Sequence, residues 1–223
     1  MAGGFTRSRV LLRSDNIGSL NTDGHEAMVA YGVTTVIDLR SESEVNPLPP
    51  RGGGLGRGAW GETQPTYLHL PVADDATMRM LAEAPTMFDR YLLMLEHRQT
   101  AFDEIFKTLA QAEGTVLFHC FAGKDRTGLV AALSLALAGV DVDAIAADYA
   151  ETDSQMSTRY EEWLAAAAPE KLEEMRDDLQ CPPERIVGVL DHLQSKWGGA
   201  AAYLQAAGLS TTDITRLQSK LKA

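Results

Sequence analysis

The ten residues His119-Cys120-Phe121-Ala122-Gly123-Lys124-Asp125-Arg126-Thr127-Gly128 constrain this chain more than any other stretch. Before them, Thr115-Val116-Leu117-Phe118 are β-branched or apolar and predict a short buried strand. After them, Gly128 to Ala138 is strongly apolar with few β-branched residues, and Gly139 stands where a helix would stop. The chain must pass from strand through tight loop into buried helix. Cys120 falls at the strand's end and Arg126 at the helix's beginning.

A loop turning into a helix aims several free backbone N–H groups at one point, and the helix dipole adds partial positive charge there. That is a seat for a phosphate, lined by the backbone of Phe121, Ala122, Gly123, Lys124, Asp125 and Arg126. Such a field favours the thiolate of a cysteine held beneath it, and the thiolate is the form that attacks phosphorus. Cys120 is the expected nucleophile. Arg126 can grip two phosphoryl oxygens through its planar fork, which lysine cannot do. Thr127 offers a hydroxyl to the sulfur, and Gly123 permits a turn that a Cβ would obstruct. The nucleotide P-loop pattern fails, because position 118 is Phe rather than Gly and Lys124 is followed by Asp125.

The 223 residues suffice for one domain with a substantial core, and the whole chain, 1–223, is read as a single domain. A net charge of −11 without a basic stripe argues against nucleic acid as a partner. Lys124 and Arg126 stand as a local positive spot on an acidic body. Two cysteines, Cys120 and Cys181, give no disulfide framework and suit a reducing cytoplasm. No apolar run reaches transmembrane length. The histidines lack metal-ligand spacing, so no metal and no cofactor are expected.

Along the chain, Arg9 to Leu12 read as a strand, Asn21 or Thr22 caps a helix to about Tyr31, and Val33 to Ile37 form a central strand ending at Asp38. The Pro- and Gly-rich segment 46–64 is a flexible surface loop. Within it, Gly54-Leu55-Gly56-Arg57-Gly58-Ala59 matches a dinucleotide pattern, yet neither follows a strand nor opens a helix. Thr66 to Leu70 form a further strand stopped by Pro71. The loop Val72-Ala73-Asp74-Asp75 then hangs off a strand end, where catalytic side chains gather in α/β folds. A carboxylic acid there could protonate a departing ester oxygen; Asp74 and Asp75 are candidates, and both could instead cap the helix beginning near Ala76. Asp125, inside the loop itself, is a third. Helices are predicted at about Thr86 to His97, Thr100 to Ala112 and Gly128 to Ala138, and from Asp141 or Asp143 through Tyr149. The part from 155 to 223 is helical, broken at Pro169 and Pro182-Pro183.

The stretch His119 to Gly128 resembles the Cys-x5-Arg signature of the cysteine-dependent protein tyrosine phosphatases, and in its full form the atypical bacterial tyrosine and dual-specificity phosphatases typified by the mycobacterial protein tyrosine phosphatase B. Leu12-Arg13-Ser14 and Asp38-Leu39-Arg40-Ser41-Glu42 also resemble that family. The resemblance implies an α/β domain: a small, mostly parallel sheet wrapped by helices. It implies hydrolysis of phosphomonoesters through a phosphocysteine, with Asp74 as acid and inorganic phosphate as product. Phosphotyrosine proteins or peptides are the expected partners. Phosphoinositides are the alternative, since Lys124 and Asp125 are similar to residues in the loops of lipid phosphatases. A phosphate-binding module without catalysis is the remaining reading from another class.

Overall fold

The computed structural model describes residues 6–45 and 65–223; the expected surface loop 46–64 and its glycine pattern lie outside the described residues. Four short strands, β1 (Leu11–Ser14), β2 (Val33–Asp38), β3 (Thr66–His69) and β4 (Thr115–His119), form one sheet in the order β1-β4-β2-β3, every pair parallel. Parallel neighbours need crossovers, and α1 (Thr22–Ala30), α2 (Glu42–Val45), α3 (Asp75–Ala82), α4 (Met87–His97) and α5 (Gln99–Gln111) lie between successive strands. Helices α6 (Asp125–Ala138), α7 (Val142–Ala166), α8 (Leu172–Leu179), α9 (Pro183–Trp197), α10 (Ala200–Ala207) and α11 (Thr211–Leu221) complete the chain. The helical C-terminal part packs on the same core as the sheet, with Ile186, Leu193, Leu204 and Leu217 in one cluster with Ile37, Phe118 and Leu129.

Register explains where the chemistry gathers. His119 at the end of β4 is level with Ser14 of β1 and Asp38 of β2, and Asp38 is level with His69 of β3. All four strands thus end on one row, and the loops after them leave the same edge of the sheet. That edge is where open α/β sheets bind ligands. Strand β4 is interior and buried at every residue, which holds Cys120 at a fixed height.

Three predicted boundaries move, each for a local reason. Arg9 adopts φ +60°, so the extended path of β1 begins after it, at Leu11 instead of Arg9. Helix α6 begins at Asp125, one residue before Arg126 and three before the apolar run, because the Lys124 carbonyl accepts from the Gly128 N–H. Helix α7 runs unbroken through Glu151 to Ser157, where a polar stretch reads as a gap, because Tyr149, Thr152, Met156 and Tyr160 keep a buried stripe at helical spacing.

Candidate active site

The loop Cys120–Lys124 is fastened from behind. Asn16 N–H donates to the Phe121 carbonyl at 3.2 Å, and Arg13 Nη2 donates to the Gly123 carbonyl at 2.9 Å. In a trans peptide the N–H points opposite to the preceding C=O, so the amides of Ala122 and Lys124 face away from those anchors, into the site. Arg13 is itself held by Asp148 and Thr152 at 2.8 Å each. Gly123 has φ +65°, and a Cβ there would meet Ser14 O at 2.5 Å and Asp15 N at 2.7 Å, so the position admits only glycine. The first helical bond of α6 being Gly128 to Lys124, the amides of Asp125, Arg126 and Thr127 have no intrahelical acceptor. Amides and helix dipole together make an anion seat at the end of β4.

Cys120 is buried at the floor of this seat. His119 behind it is fully buried and bonds the Cys120 carbonyl through Nδ1 at 3.1 Å. Burial holds the imidazole below its usual titration range, against the pull of the Asp38 charge, so it is neutral at pH 7. Arg126, nearly buried, donates from Nη1 and Nη2 to the two carboxylate oxygens of Glu44 at 2.5 and 2.8 Å. Burial opposes the Arg126 charge, but the Glu44 bonds and the negative charges at Cys120 and Asp125 outweigh it, and the guanidinium stays protonated. Two of its five N–H donors serve Glu44, which leaves three not engaged by that carboxylate.

Glu44 is a site residue that sequence reading missed. It had a local signal: Ser41-x-x-Glu44 is a capping box, and Glu44 Oε2 accepts from the Ser41 N–H at 2.8 Å at the start of α2. Burial pushes the Glu44 carboxyl up, while the Arg126 hydrogen bonds and charge pull it further down, so it is ionised.

The expected acids separate. Asp74 caps α3, its Oδ1 accepting from Thr77 N–H and Oγ1 at 2.8 Å each, and Oδ2 meets the Arg98 guanidinium. Those Thr77 bonds, aided by Arg98, hold it below the usual carboxylate range. Asp75 accepts from Ser43 Oγ and N–H, with the same consequence. The capping alternative is what Asp74 does here, while Asp75, the first residue of α3, is tied to α2 instead. Asp125 instead lines a cleft of about 430 Å³ with Phe121, Ala122, Lys124 and Arg126. Met78, Leu81, Met87, Met94 and Trp163 form its apolar wall. Phe121, half exposed, stacks on Trp163 of α7 with centroids 5.7 Å apart; nothing in the local sequence singled out Trp163.

Lys124 departs from expectation. Its buried Nζ donates to the Asp178 carbonyl at the end of α8 and lies 3.3 Å from Asp125 Oδ1. The ammonium is spent on a helix C-terminus, where the dipole favours a cation. Among the described residues Thr127 Oγ1, fully buried, has no hydrogen-bond partner, so the anticipated bond to the sulfur is not formed.

A parallel α/β sheet whose strand-end loop offers converging amides, a cysteine and a carboxylate-held arginine defines a phosphatase of the α/β class. A profile of the tyrosine phosphatase family matches residues 1–223, and the chain belongs to that family. It is 31% identical to a tyrosine-protein phosphatase of Nostoc commune over 224 residues, covering 94% of this chain and 73% of that one. It is 29% identical to the triple specificity protein phosphatase PtpB of Mycobacterium tuberculosis over 260 residues, covering 95% and 90%. Among the described residues no helix is long and apolar enough to cross a membrane.

Proposed function

We propose that this phosphatase hydrolyses aryl phosphates, phosphotyrosine in proteins or peptides first among them, with Cys120 as nucleophile, Arg126 as phosphate clamp and Asp125 as general acid and base. The carrying observation is the cleft itself: an aromatic and methionine wall leading to the loop amides and Arg126. An aromatic ring matches that wall, whereas the head group of a polyphosphorylated lipid would need cations that the site has committed elsewhere, Lys124 to Asp178.

In the first step Cys120 attacks phosphorus, the ester P–O bond breaks with its electron pair on the leaving oxygen, and Asp125 supplies the proton. In the second, water attacks phosphorus and gives a proton to Asp125, and the P–S pair returns to sulfur, beneath the free amides and dipole at the start of α6. The amides of Phe121 to Arg126 stabilise the equatorial oxygens, where positioned charge supplies most of the acceleration. Asp125 takes the acid's role because it lines the cleft beside the loop, whereas both Asp74 oxygens are engaged by Thr77 and Arg98. Two free cysteines suit a reducing, cytoplasmic setting.

Wild type and Cys120→Ser assayed on a phosphotyrosine peptide, its phosphoserine counterpart and a phosphoinositide in micelles test this reading. Turnover should be fastest on phosphotyrosine and vanish in the variant. A lipid rate above the peptide rate, or an active Cys120→Ser protein, overturns it.

A further inference from the structure

Asp125 is the end of a chain of hydroxyls. Its Oδ1 accepts from Tyr91 Oη of α4 at 2.5 Å. That hydroxyl lies 2.7 Å from Tyr149 Oη of α7, and Arg185 Nη1 of α9 reaches Tyr149 Oη at 3.4 Å while also donating to the Gln180 carbonyl. Both phenols are buried, their rings edge to face with centroids 6.3 Å apart. A phenol has one proton and a guanidinium only donates. With the Tyr91 proton committed to a carboxylate, Tyr149 must donate to Tyr91 and Arg185 to Tyr149. The chain therefore has one polarity, from Arg185 on α9 toward the site.

We propose that Tyr91, backed by Tyr149 and Arg185, is the positioning residue of Asp125: it holds Oδ1, leaves Oδ2 as the oxygen that carries the transferable proton, and stabilises the carboxylate that remains after transfer. The proposal rests on Asp125 being the general acid. Tyr91 Oη and Lys124 Nζ both approach the carboxylate at Oδ1. As the ester bond breaks, the leaving oxygen takes the Oδ2 proton together with the bond's electron pair, and negative charge appears on Asp125. Hydrogen bonds aimed at that charge strengthen as it forms, and aligned hydroxyls reinforce one another. In the second step a water proton returns to Oδ2. Burial, with the Asp125 charge, holds Tyr91 well above its usual range, so it remains a donor throughout. The groups facing Asp125 are Lys124 and Arg126 beside it, Tyr91 of α4, Tyr149 and Tyr160 of α7, and Cys181 ahead of α9.

The test compares Asp125→Asn, Tyr91→Phe and Tyr149→Phe on p-nitrophenyl phosphate, whose leaving group barely needs a proton, and on phenyl phosphate, whose leaving group does. Asp125→Asn should slow phenyl phosphate far more than p-nitrophenyl phosphate. Tyr91→Phe should repeat that selectivity with about a tenfold fall in kcat on phenyl phosphate, with KM little changed and the alkaline limb of the kcat profile moved upward. Tyr149→Phe should do the same to a lesser degree, and reports on the chain even if Tyr91→Phe folds poorly. If Asp125→Asn is selective while both phenylalanine variants, whatever their melting temperatures, keep the wild-type leaving-group dependence and pH profile, the tyrosines are only structural and the proposal is wrong. If Asp125→Asn itself shows no selectivity, the acid assignment fails and takes the proposal with it.

Discussion

Asp38 is level with His119, the residue before Cys120, and has no surface in contact with solvent. It survives burial because the Arg40 guanidinium wraps around it with three contacts between 2.6 and 3.1 Å, the Arg40 N–H donates at 3.0 Å and Tyr67 Oη donates at 2.6 Å. Burial works against the ionised form, and these donors overcome it, bringing the carboxyl to about 2 from 3.8. The folded value lies below the unfolded one, so the unfolded chain binds more protons between those limits. The stabilisation is complete above the unfolded value and is lost as pH falls through the folded one, and it amounts to about 2 kcal/mol. Asp38→Asn should cost about 3 kcal/mol at neutral pH by leaving the partly buried Arg40 charge without its counter-ion, and the stability read from urea unfolding should lose the corresponding pH dependence between pH 4 and pH 2. A variant as stable as wild type at pH 7 would contradict this account. At this scale adjacency decides what a sequence reveals. Asp38 and Arg40 stand two apart and are legible as a strand-end ion pair, and Cys120 and Arg126 are legible because one loop contains both. Glu44 could be read as a helix cap, but its pairing with Arg126 spans 82 residues and has no local trace.

Among the elements, α6 and α8 flank the same cleft with opposite footing. Helix α6 buries ten of its residues, Leu129, Val130 and Leu133 among them, whereas α8 buries none. What fastens α8 to the site is the Lys124 bond to its last turn and an ion pair of Arg90 with Asp178 at 3.0 Å, both side chains of the pair partly solvated. A pair of that kind contributes at most about 1 kcal/mol. Elements with few buried contacts open locally at small cost, so α8 should exchange its amide hydrogens orders of magnitude faster than α6, with added vanadate slowing exchange over the cleft. Equal protection of the two helices in a hydrogen-exchange experiment would show α8 to be a fixed wall instead. This contrast also marks where sequence reading works for elements. The strands and amphipathic helices carried apolar periodicity, and their order and types were legible. Helix α8 could be placed as a helix, but the charges that fasten it to the loop belong to other elements, Arg90 of α4 and Lys124 before α6.

On the scale of the whole molecule, 31 acidic against 20 basic side chains give a charge of −11. The cations near the site offset it little at a distance, because five of them are matched nearby: Arg126 with Glu44, Arg13 with Asp148, Arg90 with Asp178, Arg98 with Asp74 and Arg159 with Asp15. A phosphorylated ligand thus approaches through a repulsive field and is attracted only within the cleft, where amides and the free edge of Arg126 are unscreened. Repulsion of this sort acts on encounter and depends on ionic strength, reaching about 30 Å at 0.01 M salt and about 8 Å at 0.15 M. Two phosphotyrosine peptides of equal length, one flanked by glutamates and one by lysines, should therefore diverge in kcat/KM at low salt, the basic one ahead by about tenfold. Raising sodium chloride should increase kcat/KM for the acidic peptide and lower it for the basic one until the two approach each other. Chloride competing for the anion seat would depress both alike, so the opposite signs identify the long-range field. If both peptides respond to salt in the same direction and degree, the body's charge plays no part in substrate choice and selection rests on the cleft alone.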